Sequence, residues 1–151
     1  MADIKHLFTG ALSDTNQISS CKTSMGTENP EAEEKIDLPE SYDWREKFPK
    51  CVQPVSDIGG DKNCSSSFAM ATLSASQDRI CMASNQTVKL AAQELVDCDA
   101  SQFGCDGGYA NKVLNWGRKK GFISEECMPY TGKQQECDVD HDDTNECRVE
   151  G

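Results

Sequence analysis

Asn63 to Met70 read N-C-S-S-S-F-A-M, and a run with the apolar spacing of a helix follows directly. From Ser67 to Met82 the apolar side chains recur at intervals of one helical turn, which predicts a long buried helix. Serine is a preferred N-cap residue, because its hydroxyl can accept a hydrogen bond from a free N–H at the helix start. The three serines therefore favour a capping role at this helix start.

Two shorter helices are predicted further along the chain. Leu90 to Val96 gives one, and Tyr109 to Lys120 gives the other. The second of these ends at Gly121, which is a typical C-cap.

Four other segments of the chain carry recognisable sequence patterns. They are Asp37–Arg45 (D-L-P-E-S-Y-D-W-R), Gln93–Cys98 (Q-E-L-V-D-C), Gly104–Tyr109 (G-C-D-G-G-Y) and Cys127–Gly132 (C-M-P-Y-T-G). With the opening stretch, they make residues 37–147 closely similar to papain-like cysteine peptidases, the cathepsin family. The resemblance implies a mainly α, disulfide-rich fold that corresponds to the left, helical half of the papain-like α+β fold. The right β-barrel half has no counterpart in the sequence.

At the position of the family's catalytic nucleophile, this chain has a serine oxygen where the family has a cysteine sulfur. The nucleophile segment of that family reads C-G-S-C-W or close to it. Aligned on Cys64, this signature places Ser67 on the nucleophilic cysteine and Phe68 on the tryptophan. A cysteine at a helix N-terminus beside a histidine can exist as a thiolate at neutral pH, whereas a serine hydroxyl needs a base to take its proton. We therefore expect Ser67 to be catalytically degenerate.

The donor that stabilises the oxyanion is also replaced. The family usually reads D-Q-G-x-C before the nucleophile, where this chain reads D-I-G-G-D-K-N-C from Asp57 to Cys64. Ile58 stands at the glutamine position, and about three extra residues near Gly60 lengthen the loop. Loss of one oxyanion donor typically costs about 10²–10³ in rate.

No base is evident in the sequence. The only histidines are His6 and His141, and the second lies in an acidic run that favours a solvated loop. The catalytic His and Asn of the family lie roughly 130–150 residues beyond the nucleophile, whereas 84 residues follow Ser67 here (151 − 67). We expect no functional catalytic residue, and a pseudoenzyme.

Nine cysteines in 151 residues indicate an oxidising compartment and a disulfide framework. The resemblance implies four pairs, with Cys21 left over: Cys51–Cys81, Cys64–Cys105, Cys98–Cys137 and Cys127–Cys147. Zinc is not expected, because no C-x-x-C spacing occurs. Calcium is not expected in the acidic run Asp138–Glu146, which lacks the glycine of an EF-hand loop. We predict no metal and no cofactor.

The chain divides into a polar, propeptide-like linker over residues 1–36, partly disordered, and a domain over residues 37–151. We expect no secretory signal peptide in the linker, because it has no run of seven apolar residues, although the cysteines indicate the secretory pathway, a lysosome-like compartment or the extracellular space. Residues 125–151 carry nine acidic side chains against Lys133 and Arg148, a net −7 of the chain's −11. This charge opposes binding to nucleic acid, and no segment is apolar enough to span a membrane.

Two further features bear on function. Gly107 and Gly108 fall on the ledge where the family binds the substrate backbone, and the alternative role of these glycines is a strained turn. Asn85 begins an N-Q-T sequon for N-linked glycosylation, and Asn63 begins a second one that includes Cys64.

Three functions remain open. The first, which we favour, is an inactive homologue that acts as a binding or structural part of an assembly, with a protein partner over the surface left by the missing half. The second is a heavy-chain-like part of a peptidase with a serine nucleophile, completed by another chain. The third is a secreted decoy that binds peptides or inhibitors at Gly107 and Gly108.

Overall fold

The computed structural model describes residues 39–58, 64–139 and 147–149 of the chain. The linker over residues 1–36, both histidines and residues Gly60 to Lys62 lie outside the described residues, as do Cys21 and residues 140–146 of the acidic run. In the described part, four α-helices, one short 3₁₀ turn and a two-stranded sheet follow one another. The mainly α prediction agrees with this order of elements.

The first helix, α1 (Trp44–Lys47), was not predicted. Its N-cap is Asp43, whose carboxylate accepts a hydrogen bond from the Arg45 N–H at 2.8 Å. The Arg45 guanidinium also holds the pKa of the Asp43 carboxyl below its usual value. Four residues are too short to show apolar periodicity, so only the cap could have indicated this helix.

The long helix α2 (Ser67–Ser84) confirms the prediction for Ser67–Met82 and runs two residues further. Its buried face includes Phe68, Leu73 and Cys81, which supports the apolar spacing read from the sequence. It ends at Asn85, whose N–H donates to the Cys81 carbonyl at 2.7 Å.

The second predicted helix begins later than expected. Helix α3 spans Ala92–Asp97, whereas the sequence indicated a start at Leu90. Leu90 instead forms an isolated antiparallel bridge with Ser124, and its N–H donates to the Gln77 side chain at 2.7 Å. A side chain of α2 thus satisfies the Leu90 N–H and stabilises an extended backbone there.

Helix α4 (Ala110–Lys120) agrees with the third predicted helix, and it ends at Gly121 with φ 76°. The chain then forms β1 (Phe122–Ile123), which pairs antiparallel with β2 (Arg148–Val149). The sequence did not predict this two-stranded sheet, since each strand has only two residues.

One apolar core joins these helices. Its buried side chains come from α2, α3, α4 and the bridge at Leu90: Phe68, Ala69, Leu73, Leu90, Ala92, Leu95 and Val113. Four disulfides lie around this core, in the pairs Cys51–Cys81, Cys64–Cys105, Cys98–Cys137 and Cys127–Cys147. These are the four pairs that the resemblance implied. Each closes a loop of 20 to 41 residues, and bridges of this kind typically stabilise a domain by about 2–4 kcal/mol.

A buried carboxyl holds α3 against the sheet. Glu94 accepts hydrogen bonds from the indole N–H of Trp116 at 3.1 Å and from the Ile123 N–H at 3.2 Å. Burial raises the pKa of Glu94, although both hydrogen bonds and the charge of Arg148 oppose that rise.

Candidate functional site

Ser67 is the first residue of α2 and is half-buried. In the described part of the chain its hydroxyl makes no hydrogen bond, and no histidine belongs to that part. The helix dipole at this end favours a negative charge by about 0.3–1 kcal/mol, and by up to about 2 kcal/mol when partly buried. An effect of this size assists a thiol that is already close to ionising but does not ionise a hydroxyl.

The predicted serine cap is wrong for Ser66. This residue is the N-cap of α2, yet its side chain makes no capping hydrogen bond. Its Oγ lies instead 2.6 Å from the hydroxyl of Tyr130, and its backbone (φ −85°, ψ 11°) departs from the extended conformation typical of an N-cap. The backbone of Ser66 is not in the N-cap conformation, and its hydroxyl bonds to Tyr130 instead of to a local N–H.

Tyr130 links the helix start to the loop before it. Its hydroxyl donates to the main-chain carbonyl of Ile58 at 3.3 Å. Because a tyrosine hydroxyl has one proton, the Ser66 hydroxyl is then the donor toward Tyr130. The sequence placed Tyr130 in a family segment, but nothing in its pattern indicated this contact.

Ile58 lies at the edge of the same site with 41% of its surface exposed. Its side chain is aliphatic and offers no hydrogen bond to an oxyanion, while its carbonyl is taken by Tyr130. The longer loop that follows it lies outside the described residues.

Gly107 and Gly108 have structural reasons to be glycine. Gly107 has φ 110°, a conformation that other residues rarely adopt. A Cβ on Gly108 would lie 2.7 Å from a ring carbon of Phe68 and 2.5 Å from the Gln102 side-chain oxygen. Both glycines are buried, so the turn and the packing against Phe68 account for them without a bound peptide.

A cationic and aromatic cluster that the sequence did not indicate lies beside the glycine turn. The Lys112 ammonium lies 4.6 Å from the centre of the Tyr109 ring and 5.8 Å from that of Phe103. It also donates to the Ser101 carbonyl at 2.7 Å. Tyr109 and Lys112 are three positions apart at the start of α4, so helical spacing could have indicated this pair. Phe103 joins them because of the turn that precedes the helix.

An open cleft of about 350 Å³ adjoins the start of α2. We call the apolar part of it the Val55 surface, formed by Pro54, Val55, Met70 and Tyr130. Val55 is 99% exposed, so its side chain is accessible at this surface. An ion pair between Lys89 and Glu125 closes the polar side of this cleft.

No group of three or more histidine, cysteine or acidic side chains could hold a metal ion within residues 39–58, 64–139 and 147–149. Over the same residues, no helix is both long and apolar enough to cross a membrane.

Comparison with known sequences identifies relatives of the described domain. Residues 38–150 match the family profile described as papain family cysteine protease. Cathepsin B from Dictyostelium discoideum is 36% identical over 96 residues, which cover 64% of this chain and 30% of that protein. Papaya proteinase 4 from Carica papaya is 37% identical over 105 residues, which cover 70% of this chain and 29% of that protein.

Solved structures give the same result for the fold. The Carica candamarcensis cysteine protease CMS1MS2, in complex with E-64, has a TM-score of 0.60 and 32% identity, covering 67% of this chain and 45% of that one. The proform of the ragweed pollen allergen Amb a 11, a cysteine protease, has a TM-score of 0.62 and 30% identity. The match covers 91% of this chain and 42% of that one. The chain therefore spans less than half the length of these relatives, and the prediction of a partial papain-like fold is confirmed.

Proposed function

The chain belongs to the papain family of cysteine proteases, and we propose that it acts as a catalytically inactive member, a binding or structural component of a protein assembly. The observation that carries this proposal is Ser67 at the first residue of α2. The family chemistry needs a thiolate at this position, and this chain offers a hydroxyl there.

The hydrogen-bond partners around Ser67 support inactivity. A serine becomes a nucleophile when a base within hydrogen-bond reach, at about 2.6–3.2 Å, takes its proton. In the described residues the Ser67 hydroxyl has no such neighbour. The nearby hydroxyls of Ser66 and Tyr130 bond to each other, and that of Tyr130 donates to the Ile58 carbonyl.

Ile58 supports the same conclusion, because its side chain cannot stabilise the oxyanion of the transition state. With an aliphatic side chain at the oxyanion position, one donor is missing, which typically costs about 10²–10³ in rate. Nucleophile and oxyanion donor are thus both replaced. With both groups replaced, we expect the domain over residues 37–151 to bind other molecules without catalysing a reaction.

A protein partner is proposed for the Val55 surface. Val55 is 99% exposed there, and burial of one valine side chain contributes about 1.5–3 kcal/mol to association. The aligned part of this chain covers less than half of each solved relative. We expect a separate protein with an apolar face to bind the Val55 surface. The disulfides support a location in the secretory pathway, a lysosome-like compartment or the extracellular space for such an assembly.

Native mass spectrometry tests the proposal on protein purified gently from its natural source and treated with a serine-reactive phosphonate. We expect a stoichiometric protein partner and an unmodified Ser67. A partner that supplies the β-rich half with a histidine and an asparagine, together with a phosphonate adduct on Ser67, would overturn inactivity.

The alternative function is that of one chain of a two-chain serine-dependent peptidase. The relatives named above favour it, because they include proteins described as proteases, such as Papaya proteinase 4. In such an enzyme, Ile58→Gln restores an oxyanion donor and raises kcat/KM by about 10²–10³. In a binding protein, neither residue gives turnover of a peptide substrate.

A further inference from the structure

The loop after α2 presents an asparagine in a glycosylation motif. Asn85, Gln86 and Thr87 form the sequon N-Q-T. Asn85 is exposed and occupies the left-handed region at φ 58°, ψ 23°. Asparagine tolerates this conformation better than most residues. Among the residues that the structure describes, no hydrogen bond occupies its side-chain amide, so the nitrogen is available for modification.

The surroundings of Asn85 leave room for a bulky group. Asn85 borders an open cleft of about 250 Å³ whose apolar lining includes Phe48, Pro49 and Met82. Met82 is 42% exposed at this place. A sugar attached to Asn85 would stand at the rim of the cleft and shield Met82 from contact with other proteins.

We propose that Asn85 carries an N-linked oligosaccharide. The four disulfides indicate an oxidising compartment, and N-linked glycosylation places a bulky, solubilising group on exposed surfaces of secreted proteins. The proposal does not depend on whether Ser67 is catalytic.

The donor is an oligosaccharide linked to a lipid diphosphate, and an oligosaccharyltransferase performs the transfer. The Nδ2 atom of Asn85 forms a bond to the anomeric carbon of the first sugar. The bond from that carbon to the diphosphate oxygen breaks, and the lipid diphosphate leaves with its electron pair. The amide proton passes to a base of the transferase, and no oxidation or reduction takes place.

The folded structure indicates when the transfer occurs. The Thr87 hydroxyl donates to the Lys50 carbonyl at 3.1 Å, across 37 positions of sequence. Lys50 immediately precedes Cys51, which is bridged to Cys81. Folding thus ties up the hydroxyl of the sequon beside a disulfide, and we expect the sugar to be added before this bridge closes.

The glycan would leave the candidate functional site open. Asn85 follows an 18-residue helix that begins at Ser67, and a rise of 1.5 Å per residue separates the two ends by about 27 Å. The Val55 surface adjoins the helix start, so a partner there and a sugar at Asn85 are compatible.

Peptide mapping of the native protein after reduction and alkylation, which free Cys81 from Cys51, with and without peptide N-glycosidase, tests the proposal. Trypsin cleavage after Arg79 and Lys89 separates the Asn85 sequon from that of Asn63, which lies in the peptide before it. We expect the 80–89 peptide to appear only after glycosidase treatment, with Asn85 converted to aspartate. An unmodified 80–89 peptide in the untreated native protein would overturn the proposal.

Variants expressed in a eukaryotic secretory host give an independent measurement. Asn85→Asp keeps a residue that tolerates the left-handed conformation but removes the amide, and it should abolish the glycosidase-sensitive gel shift. Thr87→Ala should also abolish it, whereas Thr87→Ser, which keeps the hydroxyl, should reduce occupancy only. A shift that persists in Asn85→Asp would contradict the assignment to Asn85.

Discussion

The hydroxyl of Ser66 lies 2.6 Å from the hydroxyl of Tyr130, although 64 positions separate the two residues in the chain. Ser66 immediately precedes Ser67, which we propose to occupy the nucleophile position, and Tyr130 donates in turn to the Ile58 carbonyl. One tyrosine thus connects the start of α2 to the loop that carries Ile58, the residue that we propose to stand at the oxyanion position.

Removal of this hydroxyl should destabilise the domain. Tyr130→Phe leaves the buried Ser66 hydroxyl and the Ile58 carbonyl without their partner, so we expect the free energy of unfolding to fall by about 1–3 kcal/mol. Urea denaturation measures the change, with Tyr42→Phe as the matched control because Tyr42 is exposed. A loss in the Tyr42 variant as large as that in the Tyr130 variant would contradict this role.

The glycine turn gives a second prediction about packing. Gly108→Ala places a Cβ 2.7 Å from the Phe68 ring, and overpacking of this kind typically costs about 1–3 kcal/mol. Thermal unfolding should show the loss, and a second substitution, Phe68→Leu, should make the added methyl group cost less. If Gly108→Ala is as stable as the wild type, the glycine is not there for packing, and a role in peptide binding gains support.

The buried Glu94 predicts a stability that depends on pH. Because burial raises its folded-state pKa, the folded protein holds the proton more tightly than the unfolded chain does. Stability from this group is therefore complete below the unfolded pKa of about 4.3 and is lost as pH rises through the folded pKa. Each unit of difference corresponds to about 1.4 kcal/mol.

Glu94→Gln tests the pH prediction. The variant cannot ionise, so the unfolding free energy of the wild type minus that of the variant should decrease as pH rises from about 4 to neutrality. The charges of Arg148 and Asp99, which also act on Glu94, are the same in both proteins. A difference that does not change with pH would show that Glu94 keeps an ordinary pKa.

The Val55 surface predicts where a partner binds. Val55→Asp should reduce co-purification of the partner and leave thermal stability unchanged, because Val55 is 99% exposed in the chain itself. Leu114→Asp is the matched control, since Leu114 is an apolar residue that is 56% exposed on α4. Equal loss of the partner in both variants would show that binding does not select the Val55 surface.

Helical spacing of apolar residues and short motifs in the sequence made most of the fold predictable. Helix α2 buries apolar residues at helical spacing, α4 buries Val113, and Gly121 marks the end of α4 as expected. The disulfide pairs, which composition alone leaves open, followed from the resemblance. Ser67 and Ile58 could be singled out because each departs from a short motif with fixed spacing.

Contacts between distant segments could not be predicted in the same way. The sequence suggested that serines cap α2, because capping is the local use of serine, whereas the structure brings Tyr130 close enough to compete for Ser66. Leu90 likewise leaves the predicted helix because Gln77 and Ser124 engage its backbone. Both differences arise where a tertiary partner overrides a local preference.

Turnover of a peptide substrate by the native assembly tests the central claim of inactivity most directly. The assembly is purified with its partner from the natural source, and a matched preparation carries Ser67→Ala. If Ser67 is degenerate, the two preparations show the same kcat/KM, at the level of the contaminating background. A kcat/KM that is measurable with Ser67 and lost with Ser67→Ala would contradict the proposal and establish a serine-dependent peptidase.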